Sequence, residues 1–204
     1  MKWLDHLEEW LIATLMGAAT VIVFIAVIHR YMSGMSIPGL QDWLIGLNMS
    51  WVQEATIYCF VWMAKFGAAY GVRTGIHVGV DVVINRMKSD NYRIFVMFGL
   101  LSGAFFTGII ASLGAYFVWE NGAHYAFMSL VGASLEGLTE GPTTPDLEWP
   151  TWIIYLAIPL GSALMCFRFL QVSWSFLRTG ELPHHDHGHV DGLDEDTEHQ
   201  GAKA

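Results

Sequence analysis

Residues 51–81 read WVQEATIYCFVWMAKFGAAYGVRTGIHVGVD. The first twenty are long and apolar enough to cross a bilayer, yet they hold Glu54 and Lys65. A charge near the bilayer centre costs about 2.5–3.5 kcal/mol on insertion scales, so each of these two needs a reason. At 100° per residue, Trp51, Glu54, Tyr58, Trp62, Lys65 and Ala69 share one helix face, with Thr56, Phe60, Met63 and Gly67 opposite. Glu54 and Lys65 lie roughly 16 Å apart along such a helix and do not pair directly. Glu54 falls near one interface, and Lys65 can extend its stem toward the other. Proton relay or ion binding is the sharper reading of this face. A helix-packing or subunit contact is favoured, because no second intramembrane carboxylate is there to build a pathway.

Composition agrees with a membrane chain. Of 204 residues, 53% are hydrophobic and 14% charged, against about 25% charged in an ordinary soluble domain; mean hydropathy is +0.41. The reading is an all-α integral membrane protein with four transmembrane helices, at about 11–28, 51–70, 94–118 and 152–170, plus short amphipathic interfacial helices. Residues 1–178 form the membrane domain. Residues 179–204, with HHDHGH and a run of acids, have too little apolar surface for a core and read as a disordered cytoplasmic tail. The tail histidines match no structural zinc spacing, so a solvated tail is preferred to a metal site. Cys59 and Cys166 read as buried free thiols. No catalytic set, cofactor or metal centre is expected, and the net charge of −9 argues against nucleic acid.

The N-terminal segment reads as retained. Lys2 is outweighed by Asp5, Glu8 and Glu9, and the apolar run ends at His29-Arg30-Tyr31 without a small-residue cleavage pattern. Trp3, Leu4, Leu7, Trp10 and Leu11 recur at three- and four-residue steps, which suggests a short interfacial helix before the first span; the bland alternative is the start of that span itself. Arg73, Arg86, Lys88 and Arg93 flank the loop between the second and third spans, Lys2, Arg178 and Lys203 lie near the termini, and Arg168 is near the end of the last span. The opposite side has only Arg30, since residues 119–151 contain no Lys or Arg. The positive-inside rule then puts both termini in the cytoplasm. The loop 119–151 becomes external and acidic, either a solvated cap or a docking surface, with 123–138 apolar enough for a short helix or re-entrant element.

Gly99, Gly103, Thr107, Ala111 and Ala115 form a stripe of small residues in the third span, which predicts a close helix contact. Pro159 should kink the fourth span. Gly75 allows a sharp exit from the second, toward membrane lipids. His77 and Asp81 are spaced i,i+4, but no nucleophile or metal cluster accompanies them, so structural use is favoured.

These residues resemble a known family: the small membrane subunit (DctQ type) of tripartite ATP-independent periplasmic, or TRAP, transporters. The resemblance rests on Trp51 and Glu54, on Phe60–Trp62, and on GAAYGVRTGIHVGVD from Gly67 to Asp81. It extends to Arg30-Tyr31 and to WPTWIIYLAIPLGSALMCFR, residues 149–168, with Pro159 and Gly161. It covers roughly residues 10–178. The resemblance implies a non-enzymatic subunit in the bacterial inner membrane. Its partners would be a large TRAP permease subunit, which carries the substrate and ion sites, and a periplasmic substrate-binding protein. It would brace the former and help dock the latter during ion-gradient-driven uptake of an organic acid, with a C4-dicarboxylate as the family default. Structural or subunit-interface roles are assigned to Arg30, Trp51, Glu54, Trp62, Lys65, Arg73, Gly75, His77, Asp81, Gly99, Gly103, Pro159 and Gly161. The alternative, a membrane anchor of a redox complex, would need facing histidines at mid-membrane depth. His29 and His124 instead lie at or beyond span ends.

Overall fold

A computed structural model of the chain describes residues 2–35, 39–74 and 92–180. The helices are α1 (Lys2–Ser33), α2 (Leu40–Gly46), α3 (Trp51–Thr74), α4 (Tyr92–Val118), α5 (His124–Val131), α6 (Thr151–Tyr155) and α7 (Ala157–Thr179). A π-helical turn, Trp119–Ala123, joins α4 to α5. Among the described residues there is no β-strand, only an isolated bridge between Thr143 and Pro150.

Three helical runs are long and apolar enough to cross a membrane: His6–Ser33, Tyr92–Val131 and Thr151–Thr179. Helix α3, with 24 residues, is about 36 Å long by helical rise. It is not among the three, because Gln53, Glu54, Lys65 and Arg73 lower its hydropathy.

The helices form a row. Helix α1 packs on α3, α3 on α7, and α7 on α4, while α1 and α4 do not meet. An open layer of this kind leaves both flat faces largely uncovered within the chain, with α2 covering part of α1. Many large apolar side chains are accordingly exposed, including Phe24 on α1 and Phe98, Phe105 and Leu113 on α4. The largest fully buried apolar side chains, Val96 and Phe176, tie α4 to α7, with Tyr92 set edge-on to Phe176.

One tight contact in the row is between α4 and α7, and glycine makes it possible. A Cβ on Gly103 would stand 2.8 Å from the Phe169 ring, and one on Gly114 3.0 Å from Ile158. The buried positions of α4 are Val96, Ala104, Thr107, Gly114 and Val118. They are spaced by eight, three, seven and four residues, all sums of three- and four-residue steps, as a packed seam requires. Residues at strict four-residue steps drift about 40° each time on a 3.6-residue helix. The stripe from Gly99 to Ala115 therefore leaves the seam at its ends: Gly103 and Thr107 meet α7, whereas Gly99 and Ala115 are exposed.

One feature departs from the sequence reading. The amphipathic N-terminal segment is not a separate interfacial helix but the first turns of the 32-residue α1. No Pro or Gly interrupts it before Gly17, and Glu8 is drawn into the protein rather than toward headgroups. The last span is broken at Leu156, between α6 and α7, three residues before Pro159. Proline lacks an N–H and crowds the carbonyl four residues earlier, here that of Tyr155, so the chain resets there and Pro159 occupies the first turn of α7.

Candidate functional site: polar anchors at the two ends of α3

At the Trp51 end of α3, Glu54 is only 8% exposed. Its Oε1 accepts the Tyr58 hydroxyl one turn along the same face. Its Oε2 accepts the backbone N–H groups of Asp146, at 2.9 Å, and Leu147, at 2.8 Å. Three neutral donors therefore converge on one carboxylate. The turn that supplies two of them is closed on itself. Thr144 N–H donates to the Trp149 carbonyl and Trp149 N–H donates back to Thr144 Oγ1, at 2.8 and 2.9 Å. Thr151 donates to the Pro142 carbonyl through both its N–H and its hydroxyl. Beside the turn, Gly122 (φ 114°) and Gly141 (φ 81°) cross backbone to backbone. A Cβ on Gly141 would stand 2.4 Å from the Asn121 carbonyl oxygen, so glycine is required there both by conformation and by space.

At the other end, Arg168 of α7 is fully buried and reaches across the row to Glu8 of α1. Glu8 Oε1 accepts both Arg168 Nε, at 3.0 Å, and Nη2, at 2.8 Å. Arg168 Nη1 donates to Gln171 Oε1 at 2.8 Å. Glu8 Oε2 is buried with no hydrogen-bond partner among the described residues. Next to this pair, the Tyr70 hydroxyl of α3 donates to Glu9 of α1 at 3.2 Å. Glu8 and Glu9 are thus both engaged by other helices.

Between the two ends, Lys65 lies across Gly161. A Cβ on Gly161 would stand 2.6 Å from Lys65 Cβ and 3.2 Å from its Cγ and Cδ, so the lysine stem is packed on α7 rather than simply extended along its own helix. Trp62 stacks on Phe66 with ring centroids 5.8 Å apart. Arg30, at the exposed end of α1, lines an open groove between α1 and α3 with Val27, Gln53 and Phe60. Trp51 and Arg73 are half-buried at the two ends of α3. Pro159 faces Gly114 of α4, and Gly99 has nothing within 4 Å of a would-be Cβ. Gly75, His77 and Asp81 lie outside the described residues, as does the tail from 181 onward.

The structure thus joins Lys65 to Gly161 and sets Glu54 beneath a turn that the sequence reading left as loop. The apolar part of the 119–151 segment forms α5, capped by Gly132 in the left-handed conformation. The Glu8–Arg168 pair was missed, because Glu8 read as part of a polar stripe and Arg168 as a flanking positive charge. The available signal was that an arginine inside the apolar run of the last span needs a carboxylate. His29 donates from Nε2 to the Leu44 carbonyl at 2.8 Å, and His124 stacks on Trp119. Neither faces the other across the row. Among the described residues no group of three His, Cys, Asp or Glu side chains comes together to hold a metal.

A family model described as the DctQ component of tripartite ATP-independent periplasmic transporters matches residues 19–179. The chain is 50% identical to the C4-dicarboxylate TRAP transporter small permease protein DctQ of Rhodobacter capsulatus, an alignment covering 100% of this chain and 90% of that protein. It is 32% identical to the protein of the same description from Vibrio cholerae serotype O1, covering 92% and 78% respectively. It is also 23% identical to the isethionate TRAP transporter permease protein DctMQ of Oleidesulfovibrio alaskensis, where 84% of this chain matches only 24% of a much longer protein. No solved structure matches the chain.

Proposed function

The chain belongs to the DctQ family of TRAP transporter components, and from that premise we propose that it is the small permease subunit of a C4-dicarboxylate uptake system. It is a multi-pass protein of the bacterial inner membrane with a transport role rather than an enzymatic one. It works with a large permease subunit and a periplasmic binding protein. The open row of helices is the observation that carries this reading. A solitary carrier must enclose a polar path, whereas this chain offers two largely uncovered apolar faces and ties its buried charges to its own backbone and side chains. Such a layer suits a brace, with one face against the large subunit and the remainder in lipid. The longer DctMQ relative, of which this unit is about a quarter, supports the same partnership.

In this proposal α3 is the fourth transmembrane helix. Its 24 residues are enough for the roughly 30 Å of hydrocarbon. Its Trp51 end is external and its Arg73 end cytoplasmic, with both termini of the chain on the cytoplasmic side, as the Lys/Arg asymmetry favours. Arg168 drops out of that asymmetry because it is buried and paired, but the remaining charges still point the same way. The external 119–151 segment then faces the binding protein. The scaffold role is tested by reconstitution. Liposomes holding this chain alone should take up no C4-dicarboxylate under a sodium gradient, and uptake should require the large subunit and the binding protein. Sustained uptake by the chain alone would overturn it.

A further inference from the structure

We propose that Glu54 is a positioning residue for capture of the binding protein: its carboxylate latches the external turn 142–151 onto α3 and so holds Trp149 outward in a fixed pose. This rests on the docking role proposed above and adds to it the residue that prepares the surface.

The turn is built from the inside. Glu54, 8% exposed, takes the N–H groups of Asp146 and Leu147. Thr144, 3% exposed, brackets the backbone of Trp149 through both of its polar groups. With its backbone bound on both sides, Trp149 still leaves 51% of its surface open. An aromatic residue whose main chain is held and whose ring is uncovered has already lost the backbone share of the entropy that docking would otherwise cost, as suits a binding hot spot.

Charge selects the occupant. A tryptophan serving as a bilayer anchor commonly has Lys or Arg beside it to meet anionic headgroups. Residues 119–151 contain neither, and Glu140, Asp146 and Glu148 surround Trp149 in sequence. That surface repels anionic lipid and fits a soluble partner with basic side chains around an apolar recess.

The test uses the three-component transporter in proteoliposomes, with uptake measured as a function of binding-protein concentration and amide exchange followed over 142–151. Glu54→Ala should speed exchange in this segment tenfold or more. It should raise the half-saturating concentration of binding protein at least fivefold, with a smaller change in maximal rate. Glu54→Gln should restore both, because its carbonyl oxygen accepts the same two amides. Trp149→Ala should raise the half-saturating concentration without changing exchange. Unchanged exchange in Glu54→Ala overturns the latch. Faster exchange with unchanged half-saturation overturns its role in capture. Loss of complex yield in Trp149→Ala with normal half-saturation makes Trp149 a membrane anchor and also overturns the proposal. If wild-type uptake does not depend on binding protein at all, it is the docking role itself that fails.

Discussion

Glu8 and Arg168 are 160 residues apart, on helices whose backbones do not touch, yet one carboxylate oxygen receives two N–H groups of the guanidinium. The pair spans the row from α1 to α7 beside the last turns of α3, where Tyr70 meets Glu9. The first turns of α1 are thus held inward by a buried charge rather than laid on the membrane surface.

Removing one partner should therefore hurt more than removing both. Arg168→Leu or Glu8→Leu alone leaves a buried charge uncompensated, at a cost of about 3–5 kcal/mol. The double Leu variant should be less destabilised than the sum of the singles by at least ~1 kcal/mol. Thermal unfolding of the detergent-solubilised complex gives the cycle. Additive effects would mean that the two side chains do not interact.

Gly161 should reject any side chain. Its would-be Cβ meets Lys65 at the root of the stem, at 2.6 Å, where the lysine cannot swing aside without moving α3. Gly161→Ala should cost about 1–3 kcal/mol as an overpacked contact. Because alanine keeps the Cβ that is met at 2.6 Å, Lys65→Ala in the same chain should recover little of that loss, and a Gly161→Ala variant as stable as wild type would contradict the contact.

Gly99 and Gly103 differ by one turn and should differ in consequence. Gly103→Ala pushes into the Phe169 ring and should separate α4 from α7, lowering the melting temperature of the isolated chain. Gly99→Ala meets nothing within 4 Å in this chain and, by replacing a helical glycine, should leave stability unchanged or raise it by up to ~1 kcal/mol. If Gly99→Ala instead spares the isolated chain but lowers yield of the complex with the large subunit, the exposed side of α4 is the contact surface.

Topology can be read by thiol labelling in a background lacking Cys59 and Cys166. Cysteine at exposed Thr139 should react with an impermeant reagent on whole cells, and cysteine at Ser89 should react only after lysis. The reverse pattern would invert the orientation. Gly141 is unsuited to this experiment because its backbone admits no side chain.

Class and length were legible because they depend on sums over many residues. The apolar runs, the scarcity of charge and the one-sided distribution of Lys and Arg need no partner to be identified, and the family-bearing segment 51–81 is contiguous. Local chemistry was legible to the same degree: a face with Glu54, Tyr58 and Lys65 together, and a proline that must disturb the last helix. What each of these touches was not. Glu54 is satisfied by main-chain N–H groups of Asp146 and Leu147, and any residue but proline has such a group, so no side-chain pattern announces them. Arg168 needed a carboxylate, but the choice between Glu8, Glu9 and Glu54 depends on which helices are neighbours. In the order α1–α3–α7–α4, the last two contacts follow from where glycine allows close approach, at Gly161 under Lys65 and at Gly103 under Phe169. Gly99, with the same composition and spacing, remains exposed. The sequence by itself determined a membrane helix protein of this family and its repertoire of buried charges. Only the tertiary structure decided which charges meet and which faces stay open, because hydrophobic patterning constrains how far a helix is buried but not which neighbour buries it.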